Sequence, residues 1–257
     1  ADKNHGVVEH PSFREVLKTL WQQLTFRYIA TAFCVAYFFA SGIFVWMPTF
    51  LLRSHGMETS ETGIWFASVF GVCGFFGTYL GGVLASYYTA GKEARQLRAV
   101  ALLFVIIGLL YVMFFLSSNK YQALALMTLI GFLSFLPNGA VFSALQSLVN
   151  DRMRSVAIAL LFLFANLIGL GLGPLVAGVL SDLLMPMFEQ ESLRYSLVLL
   201  SPGYLWAAYY YWRAGNTIEA DIRRVESQED PIEMGPATLQ INAPELSSDC
   251  SREAGKP

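Results

Sequence analysis

Charge is scarce in this chain, and where it is missing matters more than how little there is. Asp, Glu, Lys and Arg make up 14% of the residues, against about 25% in soluble domains. None of that charge falls in the centre of six long apolar stretches, 28–52, 61–89, 97–117, 121–149, 155–185 and 193–213. Histidine is equally sparse, and His5, His10 and His55 all lie outside the stretches. With no Ser–His arrangement and no acidic pair inside them, a membrane-embedded hydrolase or protease has no chemistry to work with, and no enzyme activity is expected. Cys34 and Cys73 sit in apolar stretches and Cys250 in a polar tail, so the three cysteines give no disulfide framework. No basic block points to nucleic acid, and nothing calls for a metal or another cofactor. The first stretch is too long for a signal-peptide core. The chain opens on Ala1 rather than Met, which makes a fragment or a processed product the expectation.

What remains is hydrophobic: 55% of the chain. Each of the six stretches reaches the roughly 20 apolar residues that a bilayer crossing needs. They differ in kind. The third (Leu102 to Leu116) and sixth (Tyr195 to Trp212) are almost purely apolar, whereas the first, second, fourth and fifth carry Gly, Pro, Asn, Gln, Ser or Thr. Polar side chains avoid lipid. The third and sixth helices are therefore expected on the lipid side, with Ile107 and Leu199 replaceable by alanine at little cost. The order inside, inside, outside, given twice, predicts an all-α membrane protein of six helices arranged as two inverted three-helix repeats. Gly82-Val83-Leu84-Ala85-Ser86 returns 96 residues later as Gly178-Val179-Leu180-Ser181-Asp182, and Gly77 pairs with Gly173 at the same offset. An odd number of crossings separates the two copies, as inversion requires.

Of the 17 Lys and Arg, only Arg53, Lys120 and Arg194 fall on one side of the predicted membrane; the other fourteen fall on the opposite side. By the positive-inside rule both termini are cytoplasmic. Three regions follow: a cytoplasmic lead with an amphipathic interfacial helix (1–27), the six-helix unit (28–213), and a largely disordered cytoplasmic tail (214–257). The lead carries a capping box, Ser12 with Glu15, before apolar residues at helical spacing. The tail, without Phe, Trp or Tyr, is expected to stay helical through Arg223 and Val225 and to be disordered beyond Asp230.

Glycines and prolines mark places where helices can approach or bend. Gly77-xxx-Gly81 and Gly169-xxx-Gly173 are small-xxx-small patterns, read either as static packing or as mobile contacts. Pro48, Pro137 and Pro174 each remove a backbone donor inside an apolar stretch. Asp151, Arg152 and Arg154 crowd one tight loop, as simple anchors or as a state-dependent salt bridge.

Several segments resemble the major facilitator superfamily. Trp46-Met47-Pro48-Thr49-Phe50-Leu51, Arg53-Ser54-His55-Gly56 and Gly81-Gly82-Val83-Leu84-Ala85 look like its seventh and eighth helices. The run Arg154 to Asp182, with Phe164-Ala165-Asn166 and Gly171-Leu172-Gly173-Pro174, is similar to the eleventh helix of the bacterial spinster-like branch. Over residues 12–213 the resemblance implies the C-terminal six-helix half of a twelve-helix carrier, whose partners would be the missing N-terminal half, membrane lipids and a small-molecule substrate. One departure stands out: Ser86 and Tyr87 occupy the places where the family has Asp then Arg, which puts that cytoplasmic charge relay in doubt.

A stripe at helical spacing supplies cavity candidates: Ser134, Asn138, Phe142 and, near the cytoplasmic end, Gln146 on the fourth helix. Tyr37, Ser41 and Phe44 share a face of the first helix, and Phe162 and Asn166 a face of the fifth. The resemblance places these three helices around a central cavity, in which the asparagines could instead bond only to neighbouring helices. It implies alternating access by a secondary carrier in a bacterial inner membrane, with an amphiphilic or lipid-like substrate. A small organic anion such as a sugar acid is the competing substrate, and a non-transporting accessory membrane protein the competing class. Proton coupling would need a titratable group from outside this half.

Overall fold

The structure is a computed structural model that describes residues 17, 20–88, 93–149 and 153–233. Every element among them is helical: α1 (Leu24–His55), α2 (Thr59–Ser68), α3 (Gly74–Tyr88), α4 (Glu93–Leu116), α5 (Lys120–Phe135), α6 (Pro137–Ser147), α7 (Arg154–Phe188), α8 (Ser192–Leu200) and α9 (Gly203–Glu233). A wide π turn, Val69–Cys73, joins α2 to α3. Five helical runs are long and apolar enough to cross a membrane, the last of them 71 residues from Arg154 to Arg224. At 1.5 Å per residue that run would measure roughly 105 Å, over three times the hydrocarbon thickness, and it folds back on itself. Glu189 takes a left-handed φ of 46°, and beyond it Ser196 Oγ donates to the Ala177 carbonyl at 2.8 Å, while Ser192 and Ser181 hydroxyls meet at 3.3 Å. The described residues thus form six helical passes, each referred to below as a crossing: α1, α2–α3, α4, α5–α6, α7 and α8–α9.

Proline explains two of the breaks. Pro137 cannot donate to the preceding turn, and α6 begins on it after the turn residue Leu136. Pro202 interrupts the sixth crossing between α8 and α9, where Ser201 Oγ bonds back to the Leu197 carbonyl at 2.8 Å. By contrast α1 runs unbroken past Pro48, and α7 past Pro174 and Pro186.

The third and sixth crossings correct the expectation that they stand on the lipid side. They pack closely on one another, and each has two faces. Leu97, Val100, Ile107, Tyr111, Phe114 and Phe115 of α4 are buried, while Leu102, Ile106, Leu109, Met113 and Leu116 are exposed. Tyr204, Ala207, Ala208 and Tyr211 of α9 are buried, with Leu205, Trp206, Tyr209 and Trp212 exposed. Ile107, at 1% exposure, belongs to the core, whereas Leu199 at 58% does lie outside. Apolar composition alone cannot separate a packed face from a lipid face, because both solvents are apolar.

The two ends of the bundle carry different charge. At one end Lys120 pairs with Glu61 at 2.5 Å and Arg194 with Glu191 at 2.9 Å. At the other, Arg98 donates to Asn216 Oδ1 at 3.0 Å and Arg213 to the Tyr28 hydroxyl at 3.0 Å. Arg98 also lies 5.8 Å over the Trp212 ring, an interfacial pairing of cation and aromatic.

Of the lead, only Leu17 and 20–27 fall among the described residues, with Leu20 buried and Trp21 exposed; the capping box lies outside them. The last helix runs to Glu233. Its extension has a task. Gln23 gives α1 no side-chain cap; instead the buried Asp221 carboxylate accepts from the Thr25 backbone N–H at 2.9 Å, and the Thr25 and Thr217 hydroxyls meet at 2.7 Å. A carboxylate against exposed N–H groups at a helix N-terminus is favoured by both hydrogen bonding and the helix dipole. Asp221→Ala is expected to weaken this docking by about 1–2 kcal/mol. Faster amide exchange at residues 24–28, with the centre of α1 unchanged, is the result to look for, and an unaltered exchange pattern would show that the cap contributes nothing.

Candidate functional site

All six crossings contribute to one cavity of about 430 Å³, within the usual size range of small-molecule sites. Eleven of its twenty lining residues are aromatic, and none is Asp, Glu, Lys, Arg or His. At one end Phe33, Phe142 and Phe162 join α1, α6 and α7, with ring centroids 5.5 to 6.1 Å apart. On the other wall Phe104 and Tyr111 of α4 meet Tyr204 at 5.9 and 5.2 Å, and Phe104 lies 5.1 Å from Tyr211. Stacked, edge and tilted contacts of this kind hold the rings in place.

Most of the candidates read from sequence come together here. Tyr37, Ser41, Phe44, Ser134, Asn138, Phe142 and Phe162 all line the cavity. Asn166 does not; its amide donates at 2.8 Å to the Phe162 carbonyl one turn back on the same helix. Gln146 is also absent from the lining, and its carbonyl accepts from Arg154 Nε at 3.2 Å. Asp151 and Arg152 lie outside the described residues.

Phe104, Ile107, Tyr111, Tyr204 and Tyr211 were missed, because they stand on the two crossings that looked lipid-facing. The signal available was the tyrosine itself. A phenol hydroxyl in the middle of an apolar helix needs a polar neighbour or a wet cavity. Here the hydroxyls of Tyr111 and Tyr204 lie together, beside Ser134. Ser134 Oγ is buried beside them, so this corner gathers three hydroxyl groups inside an otherwise apolar lining.

The glycine contacts lie within the bundle. A Cβ on Gly77 would stand 2.6 Å from the Phe132 carbonyl oxygen, and one on Gly81 would strike the Leu136 carbonyl oxygen. These hold α3 against α5 and α6. Gly169 and Gly173 hold α7 against α1. A Cβ on Gly173 would overlap the Phe38 carbonyl oxygen and Ser41 Oγ and come 3.0 Å from the Gly42 nitrogen. Ser41 Oγ donates to the Gly169 carbonyl at 2.6 Å, and Trp46 Nε1 to the Pro174 carbonyl at 2.9 Å. Ser41 therefore joins the cavity wall to the α1–α7 crossing.

Comparison with known proteins bears on this arrangement. The structure superposes on a bacterial homolog of the human lysosomal transporter Spinster in its inward-facing, unoccupied form with a TM-score of 0.72, at 23% identity, over 86% of this chain and 53% of that one. Against the inward-facing, occupied form the TM-score is 0.66, at 23% identity, over 78% and 51% of the two chains. At this identity the likeness shows the fold. In sequence the chain is 31% identical over 179 residues to a protein of Mycolicibacterium smegmatis described as an MFS-type efflux pump, covering 68% of this chain and 41% of that one. The chain thus spans about half the length of these relatives or less. The profile of the Major Facilitator Superfamily matches residues 2–174, about two thirds of the sequence, so this chain, an integral membrane protein, belongs to the Major Facilitator Superfamily.

Proposed function

We propose that this chain is the C-terminal six-helix half of a twelve-helix secondary carrier that moves a small amphiphilic or lipid-like molecule across a bacterial inner membrane by alternating access. It is no enzyme in this reading, and both of its termini are cytoplasmic. The observation that carries the substrate class is the cavity lining, in which aromatic rings dominate and formal charge is lacking. Rings offer apolar contact to a chain or ring system. The corner formed by Ser134, Asn138, Tyr111 and Tyr204 offers donors and acceptors to a polar end. A sugar acid would need a cation at its carboxylate, and this lining supplies none.

The glycine crossings support two inverted repeats. Gly77 of the second crossing packs on the fourth, and Gly173 of the fifth packs on the first; exchanging the two repeats converts one contact into the other. In alternating access the missing half would close the open side of the cavity, with the two halves rocking about it.

The test is uptake by the complete polypeptide in proteoliposomes, with a fluorescent single-chain amphiphile offered against a six-carbon sugar acid. The amphiphile is expected to be carried and the sugar acid not to compete. Asn138→Ala and Ser134→Ala should each lower kcat/KM for the amphiphile by about 5–10-fold, the equivalent of one hydrogen bond at roughly 1–1.5 kcal/mol. Preferential transport of the sugar acid, or full activity in both variants, would contradict this reading.

A further inference from the structure

A second recess, of about 240 Å³, lies between α3, α4 and the start of α6, with Pro137 standing between it and the central cavity. Its walls are Leu84, Ala99, Leu103, Leu136 and Ala140, and its floor is Gly81. There α3 and α6 nearly touch: a Cβ on Gly139 would lie 2.7 Å from the Gly81 carbonyl oxygen. The small residues permit that approach and leave the space beside it unfilled. Two polar side chains line the recess, both in the first turns of α4. Arg95 is exposed and makes no ion pair among the described residues. Gln96 is only 6% exposed. Its Nε2 donates to the Ala85 carbonyl at 3.1 Å, which fixes the orientation of the amide, and its Oε1 is buried with no partner. A buried amide oxygen left without a donor is costly and marks a place where a donor belongs.

We infer that this recess holds one membrane phospholipid whose headgroup donates hydrogen bonds. Each part of such a lipid has a counterpart. The apolar walls take a length of acyl chain, the phosphate accepts from the Arg95 guanidinium, and an ammonium or hydroxyl of the headgroup donates to Gln96 Oε1. A choline headgroup satisfies the arginine but has no N–H or O–H for the glutamine. The site is distinct from the cavity proposed for substrate, so it can stand or fall independently of that reading.

Native mass spectrometry of the purified protein, equilibrated with phosphatidylethanolamine or with phosphatidylcholine of identical chains, tests it. The expected result is one retained phosphatidylethanolamine, bound at least tenfold more tightly than phosphatidylcholine. Ala99→Phe, at an exposed edge of the recess, should displace it, and Gln96→Leu should bring the two lipids to equal affinity while the protein stays folded. Leu199→Ala, on a lipid-facing surface elsewhere, should change nothing. Equal retention of both lipids by the unaltered protein, or no retention of either, overturns the proposal. So does an Ala99→Phe variant that keeps the lipid, or a Gln96→Leu variant that keeps the preference.

Discussion

Gly173→Leu is expected to abolish transport, and Gly173→Ala to destabilise the bundle to a lesser degree. The reason is what stands opposite. A methyl group at this position would meet the Phe38 carbonyl oxygen, the Ser41 hydroxyl and the Gly42 nitrogen, and two of those three atoms are backbone. Ser41 could turn away, but only by giving up its 2.6 Å bond to the Gly169 carbonyl. The helices must therefore separate, which also draws Trp46 Nε1 away from the Pro174 carbonyl, now at 2.9 Å. Overpacking of this kind costs about 1–3 kcal/mol for one methyl group and more for an isobutyl side chain. It also moves Tyr37 and Ser41, both on the cavity wall. Uptake in proteoliposomes together with thermal unfolding in detergent measures both effects. A Gly173→Leu protein with normal uptake and an unchanged Tm would show that α1 and α7 do not make this contact in the membrane.

The second large effect is expected at Ile107. Replacing it by alanine should destabilise the bundle by about 2–5 kcal/mol, the range for truncating a large aliphatic core residue. Leu199→Ala should cost almost nothing. The two leucine-like side chains look alike in sequence, each within an all-apolar crossing, but Ile107 is 1% exposed and Leu199 is 58% exposed. Lipid refills the space left at position 199. At position 107 a void opens beside the cavity, next to Gly108, where a Cβ would meet Tyr204 and the Ser201 carbonyl. At roughly 2–4 °C per kcal/mol for a domain of this size, the Ile107 variant should lose on the order of 5–15 °C in Tm. Equal unfolding temperatures for the two variants would restore the view that α4 faces lipid all round.

The contrast between these two positions shows how far the amino-acid pattern reaches. Stretches without charge, each long enough for a bilayer, marked the six helical passes. Pro137 marked a real break, whereas Pro48 and Pro174 did not interrupt their helices and Pro202 went unread. A proline removes one donor, but whether the helix parts there depends on what its neighbours supply to the freed carbonyl. On the polar crossings, helical spacing gathered Ser134, Asn138 and Phe142 onto one face, and the cavity takes all three. Asn166 had the same kind of signal but satisfies its amide within its own helix.

What the sequence by itself determined is the membrane character of the chain, its division into long apolar helical passes, and the glycines at which helices must touch, because each of these follows from local composition and spacing. Only the tertiary structure decided which faces of the apolar helices are packed. Tyr111, Tyr204 and Tyr211 entered the cavity, and Asp221 became the cap of a helix almost 200 residues away, through crossings that no local pattern encodes. The physical reason is that lipid and protein interior are equally apolar. Hydrophobicity brings a helix into the membrane, and close packing with its neighbours then sets which way it faces.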